Sequence, residues 1–191
     1  MMRDLMNSSV FDLKRSAIRE FAKLAKETPG CISLTLGEPD FDSPECIREQ
    51  AKQSLDNGET HYIENNGLKE LRVAITEYES SKHGFNCTES QVIATAGATE
   101  ALFVSLFGIL NPGDEVIIPT PAFVLYEEIV KLCRAFPVKL DTCTTAFQIR
   151  KNVLESLVSE KTRAIVLNTP NNPTGTILDS ESLEAVRQAS R

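Results

Sequence analysis

The chain has 191 residues, 41% of them hydrophobic and 25% charged, which is an ordinary globular composition with room for one sizeable core. Its 20 Lys and Arg stand against 27 Asp and Glu, a net charge of −7, and no basic run stands out, which argues against a nucleic-acid surface and a membrane-surface helix. The cysteines at 31, 46, 87, 133 and 143 form no CxxC pair, so neither a disulfide framework nor zinc spacing is present and a reducing cytoplasm is the expected setting.

The N-terminal stretch MMRDLMNSSVFDL has no continuous apolar segment and is not a secretory signal. Residues 1–40 are expected to form an arm and the start of a small domain. Within them Ser16 to Lys26 reads as a helix with Ile18, Phe21, Ala22 and Ala25 on one face, ended by Pro29-Gly30. A short apolar stretch, Cys31 to Leu36, leads into Gly37-Glu38-Pro39-Asp40. Ser43 and Pro44 are suited to the N-cap and first position of a second helix, which carries Ile47, Ala51 and Leu55 on one side and stops at Asn57-Gly58. A third helix spans about Leu68 to Ser81, with Leu71, Ile75 and Tyr78 at helical spacing.

From residue 91 strands and helices alternate. Strands are expected at Gln91–Thr95, Glu115–Ile118, Pro137–Leu140 and Ala164–Asn168. The helices between them are Thr99–Leu110, Ala122–Arg134 and Val153–Ser159, and Asp179 caps a last helix through Ala189. The longest apolar run, Ala101 to Leu110, is too short to span a bilayer. This alternation implies an α/β domain of three layers, α/β/α, with a mainly parallel sheet and helices on both faces. Ligands of such sheets sit at the carboxyl ends of the strands, so the segments after Thr95, Ile118 and Asn168 carry the functional information.

The first of these, Thr95-Ala96-Gly97-Ala98-Thr99-Glu100, opens directly into a helix. Small residues expose its backbone amides, and the helix dipole and the Thr99 hydroxyl favour a phosphate. A plain tight turn capped by Thr99 is the competing reading, and the motif is neither GxGxxG nor a Walker A loop. The second, Pro119-Thr120-Pro121-Ala122-Phe123, sets an aromatic at the start of a helix, where it can lie over a planar ring or simply pack in the core. The third, NTPNNPTGT from Asn168 to Thr176, holds two prolines, three asparagines and a glycine. It clamps Asn172 before Pro173, ready to offer an amide to a ring hydroxyl or a carboxylate. An Asx-type turn is the alternative, and it leaves the proline density unexplained. A phosphate cradle, a stacking aromatic and a polar finger at one sheet edge suit pyridoxal 5′-phosphate.

The sequence resembles the class I/II aminotransferases, fold-type I enzymes that use pyridoxal phosphate. The resemblance lies in LTLGEPDFDSPE (34–45), HYIENNGLKELR (61–72), ATAGATEALF (94–103), DEVIIPTPAFVLYEEIV (114–130) and NTPNNPTG (168–175). It implies that residues 41–191 are the N-terminal half of the cofactor-binding large domain, incomplete in this chain. By position, Gly97, Ala98 and Thr99 would hold the phosphate, Phe123 would stack on the pyridine ring and Asn172 would bond its phenolic oxygen. Gly37 would offer its N–H to the substrate carboxylate, with Asn172 as a second substrate-binding residue. Tyr62 would reach the phosphate in the neighbouring subunit of a homodimer, although by itself it is an ordinary surface tyrosine. The Asn172–Pro173 bond is a candidate cis peptide.

The resemblance also places the Schiff-base lysine beyond residue 191, with an aspartate for the pyridine nitrogen and an arginine for the substrate carboxylate. No lysine follows Lys161, so no catalytic residue is assigned within the chain and residues 1–191 alone are expected to be inactive. The implied activity is transfer of an amino group between an L-amino acid and a 2-oxo acid. Two alternatives stand beside it: a pyridoxal-phosphate-dependent C–S lyase of the same fold, and a non-catalytic phosphate-binding module. No metal, nucleic acid or membrane partner is expected.

Overall fold

The computed structural model describes residues 7–10 and 17–190; Ser16, expected to open the first helix, lies outside the described residues. These fall into two compact units, 17–96 and 97–190, with residues 7–10 belonging to the second. Among the described residues no helix is long and apolar enough to cross a membrane.

Unit 17–96 contains helices α1 (Ala17–Glu27), α2 (Glu45–Asp56) and α3 (Lys69–His83). Pro44, not Ser43, is the N-cap of α2, and no side chain caps it. The proline supplies a fixed φ of −49° and lacks only an N–H that a helix start leaves unpaired anyway. Asn57 ends α2, with Gly58 at φ +74°. The apolar faces expected on these helices are largely open: Ala22 is buried, but Phe21, Leu24, Ile47 and Leu55 are exposed.

The strand expected at Gln91–Thr95 is not one. Glu89–Gln91 forms a 3-10 turn closed by a capping box between Thr88 and Gln91, and the segment after it is irregular. Ala94 N–H bonds the Asn66 carbonyl at 3.0 Å, but a strand needs a ladder, and among the described residues none lies beside 92–95. The β-branched pattern favours extended backbone but does not by itself make a ladder.

Unit 97–190 is built on three parallel strands, β1 (Glu115–Thr120), β2 (Phe136–Asp141) and β3 (Thr162–Ile165), in the order β2-β1-β3. Strand β1 reads Glu-Val-Ile-Ile-Pro-Thr, and Val116, Ile117 and Ile118 are all buried. A central strand covered on both faces favours such an unbroken apolar run. Val116 and Ile118 join α4 (Ala98–Ile109) and α5 (Val124–Leu132) through Leu106, Leu110, Tyr126, Ile129 and Val130. Ile117 and Leu140 pack on the other face with Ile149, Leu154 of α6 (Lys151–Leu157) and Ala185 of α7 (Ser180–Ala189).

The layering follows from handedness. The chain goes from β1 outward to β2 through α5, then back past β1 to β3 through α6. Right-handed crossovers in opposite directions must use opposite faces of the sheet. Helix α7 begins at Asp179 as expected: its carboxylate accepts the Ser182 N–H at 2.7 Å. Because β2 and β3 leave β1 on opposite sides, the sheet has its topological switch between β1 and β3, and a crevice opens at their carboxyl ends.

Candidate cofactor site at the strand carboxyl ends

The exit of β1 is held from the β2 side. Thr142, buried just past β2, donates its hydroxyl to the Thr120 carbonyl at 2.8 Å and its N–H to the same oxygen at 3.0 Å. The Thr120–Pro121 peptide is cis. Two residues on, Phe123 is the N-cap of α5, still extended at φ −63°, ψ 127°, so the helix starts later than the expected Ala122. Its half-buried ring meets Tyr126 edge to face, centroids 5.8 Å apart, and packs on the α4–α5 core. Burial pushes the Tyr126 phenol up from its ordinary value. A second cleft beside Phe123 is lined by Glu127 and Lys139, paired at 3.0 Å. Hydrogen bonds from Lys131 and Lys139 hold the Glu127 carboxyl below the usual range.

Beyond β3 the three asparagines have three different surroundings. Asn168 accepts the Asn172 N–H on its side-chain oxygen at 2.8 Å. Asn171 donates its amide to the Pro121 carbonyl at 3.0 Å and to the Thr174 hydroxyl at 2.9 Å. The Asn172 side chain is exposed and has no hydrogen bond among the described residues. The loop closes on itself through Asn171 N–H to Thr176 O at 2.9 Å and Gly175 N–H to Asn171 O at 2.8 Å. Gly175 sits at φ +71°, a conformation that favours glycine. Thr169–Pro170 is cis, and so is Asn172–Pro173, as the resemblance implied. Pro121, Tyr126, Thr142, Asn168 and Asn171 line the cleft between the two exits.

The start of α4 lies over the same face of the sheet as Phe123. Leu102, one turn on from Thr99, packs in the cluster that Phe123 joins. Gly97 is the N-cap at φ +93°, with no side-chain cap on the helix, and Ala98 and Thr99 are exposed. Residues 97–99, 123 and 172 thus belong to one unit. Gly37 and Tyr62 belong to the other unit, where Gly37 is exposed in a loop and Tyr62 is fully open to solvent. Sequence reasoning missed Asn171 and Thr142, which bind protein backbone on either side of the β1 exit. The crowding of asparagines signalled the first; nothing in the sequence signalled the second.

A sequence profile described as Aminotransferase class I and II matches residues 29–191. The chain is 45% identical to an aspartate aminotransferase of Pyrococcus horikoshii over 175 residues, 91% of this chain and 45% of that protein. It is 42% identical to aromatic-amino-acid aminotransferase 2 of Thermococcus litoralis over 173 residues, 90% of this chain and 44% of that one. The solved aspartate aminotransferase of Thermus thermophilus with maleate superimposes at a TM-score of 0.89 with 35% identity, covering 97% of this chain and 50% of its own. The chain therefore spans about half the length of these relatives.

Proposed function

The chain belongs to the class I and II aminotransferase family, and from that premise we propose that the protein transfers an amino group between an L-amino acid and a 2-oxo acid, with pyridoxal 5′-phosphate as its cofactor. The observation that carries the reading is the cleft between the β1 and β3 exits, whose flanking loops carry Phe123 and the exposed Asn172. The residues present fit the group. A helix start with a glycine N-cap and an exposed threonine suits a phosphate, an aromatic ring suits a planar ring, and a neutral amide suits a phenolic oxygen.

Bound there, the cofactor would supply an electron-withdrawing ring that stabilises negative charge on the α-carbon of an amino acid. The chain's own residues bind and orient. Gly97, Ala98 and Thr99 would donate to the phosphate. Phe123 would stack on the ring, and Asn172 would donate to the phenolic oxygen and help bind the substrate. Gly37 would give the substrate carboxylate a backbone N–H, and Tyr62 would reach the phosphate of the second subunit in a homodimer. The five free cysteines suit a reducing compartment, the cytoplasm.

Proton transfer at the α-carbon needs a base, which the family resemblance puts outside residues 1–191. The polypeptide 1–191 alone is expected to bind phosphate compounds without turnover. The full-length gene product, given L-amino acids with and without a 2-oxo acid, should form a new amino acid only when the 2-oxo acid is present. Stoichiometric ammonia and pyruvate without it would overturn transfer in favour of β-elimination, and turnover by 1–191 would overturn the division of labour.

A further inference from the structure

Asn171 and Asn172 are adjacent in one loop and have opposite surroundings. Asn171 is half-buried, and its N–H, its carbonyl and its side-chain amide are all hydrogen-bonded to protein. Asn172 is bonded through its backbone N–H, while its side chain stands open. One asparagine holds the loop in place and the other faces outward.

What Asn171 holds is specific. The β1–β3 ladder runs as far as Val166 N–H to Ile117 O at 3.0 Å. Past that point the strands part, and the cleft opens between them. Among the described residues, the bond from Asn171 to the Pro121 carbonyl is the cross-link between the two exits. Pro121 is two residues before Phe123, and Asn171 is one before Asn172.

We propose that Asn171 is a positioning residue: its bond to the Pro121 carbonyl sets the distance from the Phe123 ring to the free Asn172 amide. The inference rests on the reading of this cleft as a pyridoxal-phosphate site and deepens it. Two observations give the direction of any movement. Thr142 clasps Thr120 from the β2 side with two bonds to one oxygen, so the β1 exit stays put when Asn171 is lost. The bonds from Asn172 to Asn168, Asn171 to Thr176 and Gly175 to Asn171 keep the β3 loop in shape. The loop then shifts as a body, and Asn172 moves away from the ring it would address. Displacement of a binding group by about an ångström is enough to weaken its contact severely.

The test uses the 191-residue chain and two probes that differ by the ring. Pyridoxamine 5′-phosphate has the phosphate, the ring and the phenol but no aldehyde, so it forms no imine with surface lysines; inorganic phosphate has only the anion. In N171L, which removes both side-chain donors at nearly constant size, calorimetry should find pyridoxamine 5′-phosphate about tenfold weaker, as it should in N172A, the scale of one hydrogen bond to a polar ligand group. Inorganic phosphate should bind N171L within about twofold of the parent chain, since its donors lie at 97–99. The double variant N171L/N172A should bind no more weakly than N172A, because Asn171 acts through Asn172. The proposal is overturned by N171L binding the ring compound normally, by equal loss of both probes, or by additive losses in the double variant. Should N171L lose its helical circular dichroism, N171S, which keeps one donor, must show the same pattern in smaller measure; normal binding by N171S overturns it too. Failure of the underlying reading looks different: the parent chain would bind pyridoxamine 5′-phosphate no tighter than phosphate, or N172A would bind it normally.

Discussion

Gly67 and Gly97 both sit at positive φ, +97° and +93°, for different reasons. A Cβ on Gly67 would lie 2.6 Å from the Ala94 Cβ, while one on Gly97 would meet no atom of the described residues within 4 Å. Gly67→Ala therefore combines backbone strain with overpacking and should destabilise by about 2–4 kcal/mol, against about 1–2 kcal/mol for Gly97→Ala, by urea unfolding. Arg72 makes the Gly67 site rigid: its buried guanidinium donates to the Gly67 carbonyl at 3.1 Å, to the Glu89 carbonyl at 2.9 Å and to the Glu64 carboxylate. At the other end of the chain, Asp179→Ala removes the cap on α7 and should cost about 1 kcal/mol. Glu184 is held down to about 2 from its ordinary 4.5 by hydrogen bonds from Arg187 and Gln188. A depressed carboxyl contributes stability that is present above pH 4.5 and lost as pH falls toward 2. Urea midpoints at low salt should fall through that window, and Glu184→Gln should flatten part of the fall. An unchanged slope would show that the pair is screened by solvent.

At the scale of elements, the sheet is a three-strand core with separate apolar clusters on its two faces. Ile117 is fully buried on the α6–α7 face and Val130 on the α5 face. Ile117→Ala should cost about 2–5 kcal/mol, and adding Val130→Ala should be additive within about 0.5 kcal/mol, because the two sit in different clusters. A coupling above 1 kcal/mol would mean that the central strand shifts when either face is thinned. The parallel elements were legible in the sequence because each carries its own signal: the apolar run of β1, the Asp179 cap, the glycine and proline breaks. Strand boundaries moved by at most three residues. Residues 91–95 had a strand's composition, but among the described residues they form no ladder, which local sequence cannot report.

At the scale of the molecule, among the described residues β3 pairs with β1 alone, and a groove beside it is lined by Val158, Ala164, Ile165, Val186 and Ala189. In the other unit Phe21, Ile32 and Leu34 are more than half exposed. An open strand edge and apolar side chains in water favour association. Sedimentation velocity of the 191-residue chain should show a mass that rises with micromolar concentration; a constant monomer would count against this.

Sequence alone determined the alternation of parallel strands and helices and the family resemblance, because periodicity, turn chemistry and motif spacing are local properties of the chain. The tertiary structure decided which asparagine is free. Asn171 and Asn172 are indistinguishable in type and neighbours in sequence. Only the approach of Pro121, 50 residues away and carried there by two crossovers that reverse around β1, gives one of them a partner and leaves the other open.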